Sequence, residues 1–467
     1  MRISLINLPA SVPGLMYVPH IRRAYTEIGQ VLPNLSLLYL AAWLRKNGHE
    51  VSYIEAFALR MNLAEIVREI KIIQPDLLGF NLITETFESS MKWIEKIKNA
   101  VKLPVIAGGT HMRFFAKETL THSSIDYVAT GEGWFTFLEL LETLEGKKNI
   151  SGIPGIGYRR EGNVTINPPR KETLSLEQAP LPARDLIPND AYTTLLSQRW
   201  PVTVALSSSG CSHRCLYCDI GALPLSFRSA GSMLAEIREC HERFGIREIH
   251  YQDETFTLKR ERVLEFCSGL EKEKLPVKFS IRTRPDALDE ELLRRLARAG
   301  CYKVHLGIES GDEKVLKNLG REAPLHKTKE AVFLCRKYGI LTLGFVMVGN
   351  PGEKYPELRR TLALLKSLPL DFIQVNKFVP TPLSPLYERY RTARKRDPWR
   401  NYVSGDYAAL EELRSSFSSF SPVELDRWQK HFFRKFYFRP AFVLRRIGKL
   451  KNFRELAGYL RAAGSLL

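Results

Sequence analysis

The sequence predicts an α/β protein with two consecutive β/α series and a helical C-terminal region. Apolar strand-like runs alternate with helical patterns, first within residues 1–145 and again within residues 196–390. Such alternation is typical of parallel sheets covered by helices. The strand rhythm then stops, and residues 391–467 become helical, aromatic and basic. A chain of 467 residues is also too long for one ordinary hydrophobic core, so we expect several domains.

The first series predicts a doubly wound, Rossmann-like parallel sheet over residues 1–145. Its strand candidates are Arg2–Leu8, Glu50–Ala56, Leu77–Ile83, Val105–Gly108 and Tyr127–Thr130, with helix candidates near 35–47, 62–73, 86–100, 113–121 and 134–145. By itself, such a sheet with Gly108-Gly109 would also suit a nucleotide, because glycine permits close approach of a phosphate. The first strand is followed by Leu8-Pro9-Ala10 and not by G-x-G-x-x-G, which disfavours ordinary dinucleotide binding.

The second series predicts a (β/α)6 partial TIM barrel over residues 196–390. Residues 146–195 are dense in turn residues, and we interpret them as a connecting hairpin and strap. The six strand candidates that follow are Val202–Leu206, Glu248–Tyr251, Lys278–Arg282, Lys303–Ile308, Thr342–Val348 and Phe372–Phe378. In such folds the chemistry gathers at the C-terminal ends of the strands.

Composition and cysteine usage restrict the class of protein. The 44% hydrophobic and 26% charged residues are typical of a globular protein, and no apolar run approaches the ~20 residues that span a bilayer. The N-terminus, with its short apolar run, predicts a first strand and not a signal peptide. Seven cysteines, three of them within eight residues, fit a reducing compartment better than a secreted disulfide framework. We therefore expect a cytoplasmic protein.

A cysteine cluster follows the first strand of the second series. Cys211, Cys215 and Cys218 can each bind a different iron of one [4Fe–4S] cubane and leave the fourth iron open for a small molecule. Zinc is the alternative, with His213 as a fourth ligand, although structural zinc sites commonly use two CxxC-like pairs. The single, widely spaced Cys240, Cys267, Cys301 and Cys335 predict buried free thiols and no auxiliary cluster.

This CxxxCxxC motif resembles the defining motif of the radical S-adenosylmethionine superfamily, which also carries it after the first strand of a β/α series. The resemblance implies that the open iron binds S-adenosylmethionine, which an electron from the cluster cleaves to a 5′-deoxyadenosyl radical. Later strand ends carry further similar segments, at His250–Phe256, Arg282–Pro285, Gly307–Gly311 and Gly344–Glu353. The positions that would contact S-adenosylmethionine are Tyr217, Asp253, Glu254, Arg284, Glu309, Ser310 and Gly349.

Two of these positions also make physical sense without the resemblance. Asp253 and Glu254 could receive the cationic ammonium group of S-adenosylmethionine. The alternative for Asp253 is that it caps the N-terminus of a helix, and the two roles do not exclude each other. The sequence assigns no catalytic residue beyond the cofactor-binding positions.

The N-terminal series is similar to the cobalamin-binding domain that is fused to many radical enzymes. The similarity lies in 35–56, 76–84, 104–111 and 126–134. It implies that three loops hold the nucleotide tail of cobalamin, at Thr84, at Gly108, Gly109 and Thr110, and at Gly131, Glu132 and Gly133. The D-x-H-x-x-G motif that supplies a lower histidine to cobalt elsewhere is absent from residues 1–50. Cobalt would therefore have no lower histidine, or an unidentified ligand.

Together these resemblances imply a cobalamin-dependent radical S-adenosylmethionine methyltransferase. It would transfer a methyl group to an unactivated carbon, or to phosphorus, by way of the 5′-deoxyadenosyl radical and methylcobalamin. Some relatives use the same two domains for ring closure or rearrangement without methyl transfer, which is one alternative. A second alternative is a radical RNA-modifying enzyme of the methylthiotransferase type, but that family has three further N-terminal cysteines, and this chain has none before Cys211.

The basic C-terminal region is the part of the sequence that indicates possible binding partners. From Lys430 to the end there are ten Lys or Arg residues and one acid, Glu455, within a net charge of +18. Aromatic residues interleave with these cations from Trp428 to Tyr459, a pattern that suits peripheral binding to an anionic inner membrane and a lipid-like or small-molecule substrate. A helix that covers the barrel is the simpler alternative, and docking of the required one-electron donor, a flavodoxin or ferredoxin, is another. We expect no nucleic-acid partner.

Overall fold

The computed structural model describes residues 1–9, 31–194, 196–321, 323–440 and 442. These residues form two compact units. The first comprises the described residues up to Thr193 together with Arg400–Asp406, and the second comprises the remainder. Among the described residues, no helix is both long enough and apolar enough to cross a bilayer.

A seven-stranded sheet forms the centre of the first unit. Its strands are β1 (Arg2–Asn7), β2 (Glu50–Glu55), β3 (Leu77–Asn81), β4 (Val105–Gly108), β5 (Tyr127–Ala129), β6 (Ile156–Arg160) and β7 (Asn163–Ile166), in the order β2-β1-β3-β4-β5-β6-β7. The first five are parallel, as predicted, whereas β6 and β7 are antiparallel. The hairpin that the sequence places in a connector therefore continues this sheet, because Tyr158 pairs with Tyr127.

Helices cover both faces of this sheet, which confirms the doubly wound fold. They are α1 (Leu35–Lys46), α2 (Leu63–Ile73), α3 (Phe87–Val101), α4 (Met112–Leu120) and α5 (Gly133–Leu144). One apolar core lies between the sheet and α2, α3 and α4, and a second lies under α1 and α5. The apolar side chains of each helix recur on one face, so each helix buries that face against the strands.

Six parallel strands form the partial barrel of the second unit. They are β8 (Val202–Ala205), β11 (Glu248–Tyr251), β12 (Lys278–Thr283), β13 (Cys301–Glu309), β14 (Leu341–Val348) and β15 (Phe372–Lys377), and they lie side by side in chain order. A small antiparallel pair, β9 (Ser208–Ser209) and β10 (Ser226–Phe227), follows β8. The sheet-covering helices are α6 (Ala230–Phe244), α7 (Arg260–Glu273), α8 (Glu290–Arg298), α9 (Glu313–Asn318), α10 (Leu325–Lys337) and α11 (Tyr355–Ser367).

Within the described residues, four helices follow the last strand, as the loss of strand rhythm predicts. They are α12 (Pro385–Arg394), α13 (Pro398–Val403), α14 (Ala408–Phe417) and α15 (Pro422–Tyr437). The last of these packs on the barrel, with Phe432 and Phe436 fully buried in its core. Its polar side chains bond to the backbone of β15: Gln429 Nε2 donates to Val375 O at 2.5 Å, and Tyr437 Oη donates to Ile373 O at 2.9 Å.

Candidate active site

The three clustered cysteines lie in one loop between β9 and β10. Cys211, Cys215 and Cys218 are half-buried and free, and the Cys218 amide donates to Cys215 O at 3.2 Å. The loop is tightly folded around two glycines. A Cβ atom at Gly210 would lie 2.5 Å from Pro224 O, and one at Gly221 would lie 2.5 Å from His213 O. Only glycine therefore permits this path of the backbone.

The backbone around the cysteines is held by other elements of the second unit. The Leu216 amide donates to Leu319 O at 3.0 Å, and the Leu386 amide donates to Leu216 O at 2.8 Å. The Thr381 amide donates to Tyr217 O at 3.0 Å. The cysteine loop is thus held by hydrogen bonds to the end of α9 and to the segment leading into α12.

The thiol of Cys218 favours the neutral form unless a bound metal deprotonates it. Burial raises the pKa of Cys218 to about 12, although the Ile220 amide donates a hydrogen bond to it. A coordinating metal deprotonates such a thiol outright. Among the described residues, no three His, Cys, Asp or Glu side chains surround a point that a single ion could occupy. A cubane binds each thiolate through a different iron, so its ligands need not converge on one point.

Asp253 supports the strand that leads into this loop. Its carboxylate accepts from the Ser207 amide at 2.8 Å, from Ser207 Oγ at 2.5 Å and from Ser208 Oγ at 2.6 Å, and it is fully buried. Burial raises the pKa of Asp253, and the hydrogen bonds from the two serines oppose that rise. Both carboxylate oxygens are therefore engaged by the protein. The helix-capping alternative is not what the structure shows, and binding of the cofactor ammonium by Asp253 stays a prediction.

Its neighbour Glu254 is available to a ligand. Glu254 is exposed. Partial desolvation of its carboxylate by the surrounding protein raises the pKa of Glu254, and the nearby Arg282 opposes that rise. The next residue, Thr255, approaches the cysteine loop, with 3.8 Å between Thr255 Oγ1 and Cys211 Sγ. A carboxylate beside the cluster loop is suitably placed for a cationic ammonium group.

A buried polar cluster lies at the end of β13. Glu309 adopts a left-handed backbone conformation with φ of 63°, and its Oε1 lies 3.5 Å from Arg321 Nη1. The Tyr217 hydroxyl also bonds to Glu309, and Arg321 donates to Gly307 O at 2.7 Å. Burial raises the pKa of Glu309, and Arg321 and Arg284 oppose the rise. The structure thus brings together two predicted residues, Tyr217 and Glu309, and adds Arg321, which no motif indicates.

The other predicted S-adenosylmethionine positions are held by local contacts. Arg284 forms a two-bond ion pair with Asp286, at 2.9 and 2.7 Å. Buried Ser310 lies 3.2 Å from Thr361 Oγ1. The Gly349 amide donates to Glu353 at 2.7 Å, in a turn with φ of 83° that favours glycine. Each contact fixes a strand end, and the cofactor contacts themselves stay predictions.

In the first unit, the predicted cobalamin positions gather at one edge of the sheet. Thr84, residues 108–110 and residues 131–133 follow the neighbouring strands β3, β4 and β5. A Cβ atom at Gly108, Gly131 or Gly133 would meet nothing within 4 Å, so these loops present open backbone to a ligand. Ligands of open α/β sheets bind beyond the carboxyl ends of the strands, so the loops fit a bulky cofactor there.

A buried histidine that sequence reasoning missed supports this edge. His111 Nδ1 lies 3.1 Å from Thr84 Oγ1, and the ring stacks on Phe87 at 4.0 Å between centroids. Burial lowers the pKa of His111 to about 3, with a further contribution from His122, so the ring is neutral. Its Nε2 atom has no partner among the described residues. The ring therefore positions Thr84 and leaves one polar atom for a ligand or water.

A chain of side-chain amides crosses the same edge. Asn81 donates to Asn34 at 3.1 Å, Asn34 lies 3.4 Å from Asn7, and Asn7 donates to Glu55 at 2.8 Å. The Tyr192 hydroxyl donates to the other oxygen of Glu55 at 2.6 Å. Three of these residues, Asn7, Glu55 and Asn81, end β1, β2 and β3, beside the point where the strand order reverses. No sequence motif connects them, because they meet only through the sheet order.

Comparison with known proteins identifies the family. The Radical SAM superfamily model matches residues 206–365, and the B12 binding domain model matches residues 22–141. Together the two matches span more than half of the chain. The chain belongs to the cobalamin-binding radical S-adenosylmethionine enzymes. As a member, this radical enzyme uses a [4Fe–4S] cluster, S-adenosylmethionine and cobalamin, and it needs a reductant.

Two curated relatives and one solved structure resemble this radical enzyme over most of its length. An uncharacterized methyltransferase of Pyrococcus horikoshii is 28% identical over 446 residues, which are 93% of this chain and 95% of the relative. The cytidylyl-2-hydroxyethylphosphonate methyltransferase of Streptomyces wedmorensis is 29% identical, over 70% of this chain and 71% of the relative. A radical S-adenosylmethionine methyltransferase of Kitasatospora setae, solved with cobalamin and a [4Fe–4S] cluster, has a TM-score of 0.66 at 20% identity. That alignment covers 84% of this chain and 75% of the other and shows the shared fold.

The remaining cysteines of this radical enzyme are buried and free, as predicted. Cys240, Cys267, Cys301 and Cys335 are each at most 4% exposed. Burial raises the pKa of Cys301, with a smaller contribution from the nearby Cys267 and Cys335. Such thiols behave as small apolar side chains. The absence of an auxiliary cluster stays a prediction.

Proposed function

We propose that this radical enzyme transfers a methyl group to an unactivated carbon, or to phosphorus, of its substrate. The observation that carries the proposal is that one chain joins a cobalamin-binding domain to a radical S-adenosylmethionine domain with an intact, anchored cysteine loop. Both relatives reported above are named methyltransferases, which supports the same reaction. When bound, the cluster and S-adenosylmethionine supply the radical that removes a substrate hydrogen atom, and cobalamin supplies the methyl group.

The chain's own residues would bind and position these groups. Cys211, Cys215 and Cys218 would hold the cluster, and Glu254 would receive the ammonium group of S-adenosylmethionine. The Glu309–Arg321 pair would hold the region near Tyr217 in place for the rest of that cofactor. In the first unit, Thr84, positioned by His111, and the open backbone of Gly108 and Gly131 would hold the tail of cobalamin.

Anaerobic turnover with S-adenosylmethionine that carries a deuterated methyl group tests the reaction. Metabolite and lipid extracts are incubated with the reconstituted enzyme and dithionite as the electron source, and products are examined by mass spectrometry. We expect a product that gains one deuterated methyl group, together with 5′-deoxyadenosine and S-adenosylhomocysteine. A product that loses two hydrogens and gains no methyl group would instead favour the alternative of ring closure without methyl transfer. Cys335→Ala is the matched control, because its thiol is buried away from the cysteine loop.

The electron donor is part of this proposal. The exposed face of α15 carries Arg427, Lys430, Arg434 and Lys435, whereas its aromatic face packs on the barrel. A cluster of exposed cations on one helical face favours an acidic protein such as a flavodoxin or ferredoxin. A triple change of Lys430, Arg434 and Lys435 to Gln should slow flavodoxin-driven cleavage of S-adenosylmethionine and leave dithionite-driven cleavage unchanged. Equal loss with both reductants would argue against donor docking on this face.

We also propose that the protein is cytoplasmic and that its basic tail contacts an anionic membrane surface. Much of that tail, residues 443–467, lies outside the described residues, and the described part offers chiefly cations. Each Lys or Arg near an anionic surface adds about 1 kcal/mol. Deleting residues 443–467 leaves α15 in place and should abolish sedimentation with anionic vesicles at low salt. Full-length protein that ignores such vesicles would defeat the membrane proposal and its link to a lipid-like substrate.

A further inference from the structure

The inner face of the second sheet carries ionisable side chains that have no assigned role in binding the cofactors. Alternate residues of β11, β12 and β13, such as Ile249, Ile281 and Val304, lie in the apolar core beneath the helices. Because side chains alternate between the faces of a strand, their neighbours point to the opposite, inner face. These inner residues are His250, Ser280, Arg282, Lys303 and His305.

The strand register places these side chains beside one another. Ser280 pairs with both His250 and Lys303, and Arg282 pairs with His305. Arg282 and Lys303 each act electrostatically on the His305 ring, as does His250. Three strands thus contribute one connected group of cations and imidazoles to the middle of the inner face.

The carboxylate of this group is already occupied. Glu248 accepts from Tyr302 Oη at 2.5 Å and from the amides of Gln198 and Arg199 at 2.7 and 2.8 Å. His250 Nε2 lies 2.9 Å from the same carboxylate. These four contacts occupy the hydrogen-bonding positions of Glu248, so it acts on Lys303 only through space.

Lys303 is a buried ammonium group with weak compensation. The residue is 1% exposed, and its Nζ donates to a single carbonyl, Leu196 O, at 3.3 Å. Among the described residues no carboxylate forms an ion pair with it. Burial lowers the pKa of Lys303 to about 8, with Glu248 opposing. The ammonium group also lies 5.0 Å from the centroid of the Tyr302 ring. A buried cation without a direct carboxylate partner is costly, so its retention favours a function that uses the charge.

His305 lies beside Lys303 with unused hydrogen-bonding capacity. Neither ring nitrogen has a partner among the described residues, while the residue itself remains partly exposed. Both nitrogen atoms are buried as the ring is placed. Rotation of the ring by half a turn exchanges its nitrogen and carbon positions without a change of shape, so either edge of the ring can present nitrogen atoms. Phe345 flanks the ring at 5.8 Å between centroids and supplies an apolar wall.

We propose that this inner face binds an oxyanion of the methyl-accepting substrate, with His305 and Arg282 as contacts and Lys303 as a buried positive charge behind them. The inference rests on the proposed function only in that the ligand belongs to the methyl acceptor. The class is a carboxylate, phosphate or phosphonate on a substrate whose remaining part is apolar enough to lie against Phe345. Such an anion would supply a counter-charge close to Lys303, which has no carboxylate ion pair among the described residues.

Binding of simple oxyanions to the full-length, reconstituted enzyme tests the site without turnover. Inorganic phosphate, methylphosphonate and acetate are titrated calorimetrically in the absence of S-adenosylmethionine and reductant. We expect saturable binding of at least one, and the strongest of the three identifies the anion class. Loss of a hydrogen bond to an anion, or of a buried positive charge close to it, weakens affinity by about tenfold or more, so His305→Gln and Lys303→Met should each weaken that binding by this factor.

Controls separate this site from the general attraction of a basic protein for anions. Lys329→Met removes an exposed lysine on α10 and should leave the saturable binding unchanged. Circular dichroism establishes that each variant is folded. If Lys303→Met does not fold, the test rests on His305→Gln alone. Saturable binding that persists undiminished in His305→Gln, or no saturable binding of any of the three anions, would overturn the proposal. Failure of methyl transfer is distinguishable, because it is read from products and not from this titration.

Discussion

The carboxylate of Asp253 accepts two hydrogen bonds from Ser207, one from its amide at 2.8 Å and one from its hydroxyl at 2.5 Å. A third comes from Ser208 Oγ at 2.6 Å. These contacts join the end of β11 to the segment that enters the cysteine loop. A residue expected to bind a cofactor thus holds the backbone on which the cluster ligands are mounted.

Asp253→Ala should impair cluster assembly. The change leaves three buried donors without an acceptor, which we expect to cost about 2–4 kcal/mol and to loosen the cysteine loop. Iron content after anaerobic reconstitution measures the effect. Glu254→Ala is the matched control, because that exposed neighbour makes none of these bonds and its loss should leave iron content near normal. Equal iron in both variants would contradict a positioning role for Asp253.

The three clustered cysteines should account for all bound iron. The reconstituted enzyme is expected to hold about four irons per chain, and replacement of Cys211, Cys215 or Cys218 by Ala should abolish this content and the production of 5′-deoxyadenosine. Single Ala replacements of the buried Cys240 and Cys267 should leave iron unchanged. Normal iron content in a variant that lacks all three cysteines would contradict the assignment. Zinc instead of iron in the unmodified enzyme would favour a zinc site.

Cobalamin bound to this enzyme should lack a lower histidine ligand. The D-x-H-x-x-G motif is absent, and the strand ends at the switch in sheet order carry Asn7, Glu55 and Asn81 instead. Electron paramagnetic resonance of the cob(II)alamin-loaded full-length chain should show no strong nitrogen coupling from a lower axial position. Clear nitrogen splitting would refute this expectation. The full chain is required because the first sheet continues to Ile166, beyond the predicted boundary at residue 145.

Lys303→Met should stabilise the protein at pH 7. The folded pKa of Lys303, about 8, lies below its usual value near 10.4, so unfolding takes up a proton between these pH values and stability rises across that window. Removing the charge should therefore gain up to about 3 kcal/mol at pH 7, and the gain should shrink as pH approaches 10. Thermal unfolding followed by circular dichroism at the two pH values measures this, with Lys329→Met as the exposed control. A lower melting temperature for Lys303→Met at pH 7 would contradict the expectation.

Much of the fold follows from local sequence, because each β/α unit is short and carries its own apolar run. The strand bounds at Val105–Gly108 and Glu248–Tyr251 match the prediction, and most others differ by one residue. Pairing between distant segments is what the sequence did not reveal, since Tyr158 joins the first sheet only through its contact with Tyr127. The same reason explains why Arg321, which lies outside every motif, was missed at the Glu309 cluster.

The basic C-terminal region shows the limits of composition more clearly. Interleaved aromatic and basic residues suggested a membrane surface, but the spacing of Leu425, Phe432 and Phe436 places them on one helical face, which is buried against the barrel. Periodicity at 3.6 residues was the signal that could have distinguished the two interpretations. Burial of that face is a finding for α15 alone, and it does not bear on a membrane role of residues 443–467.

The bonds from α15 to β15 have a consequence for solubility. β15 is the last strand of an open sheet, and a bare strand edge is a template for pairing with another molecule. Gln429 and Tyr437 occupy the main-chain groups of Val375 and Ile373 that a foreign strand would need. The helix thus acts as a guard against edge-to-edge aggregation. A truncation that begins at Trp428 would expose the edge of β15, and we expect the truncated protein to aggregate. Loss of binding in such a variant would then reflect aggregation and not the loss of a partner site.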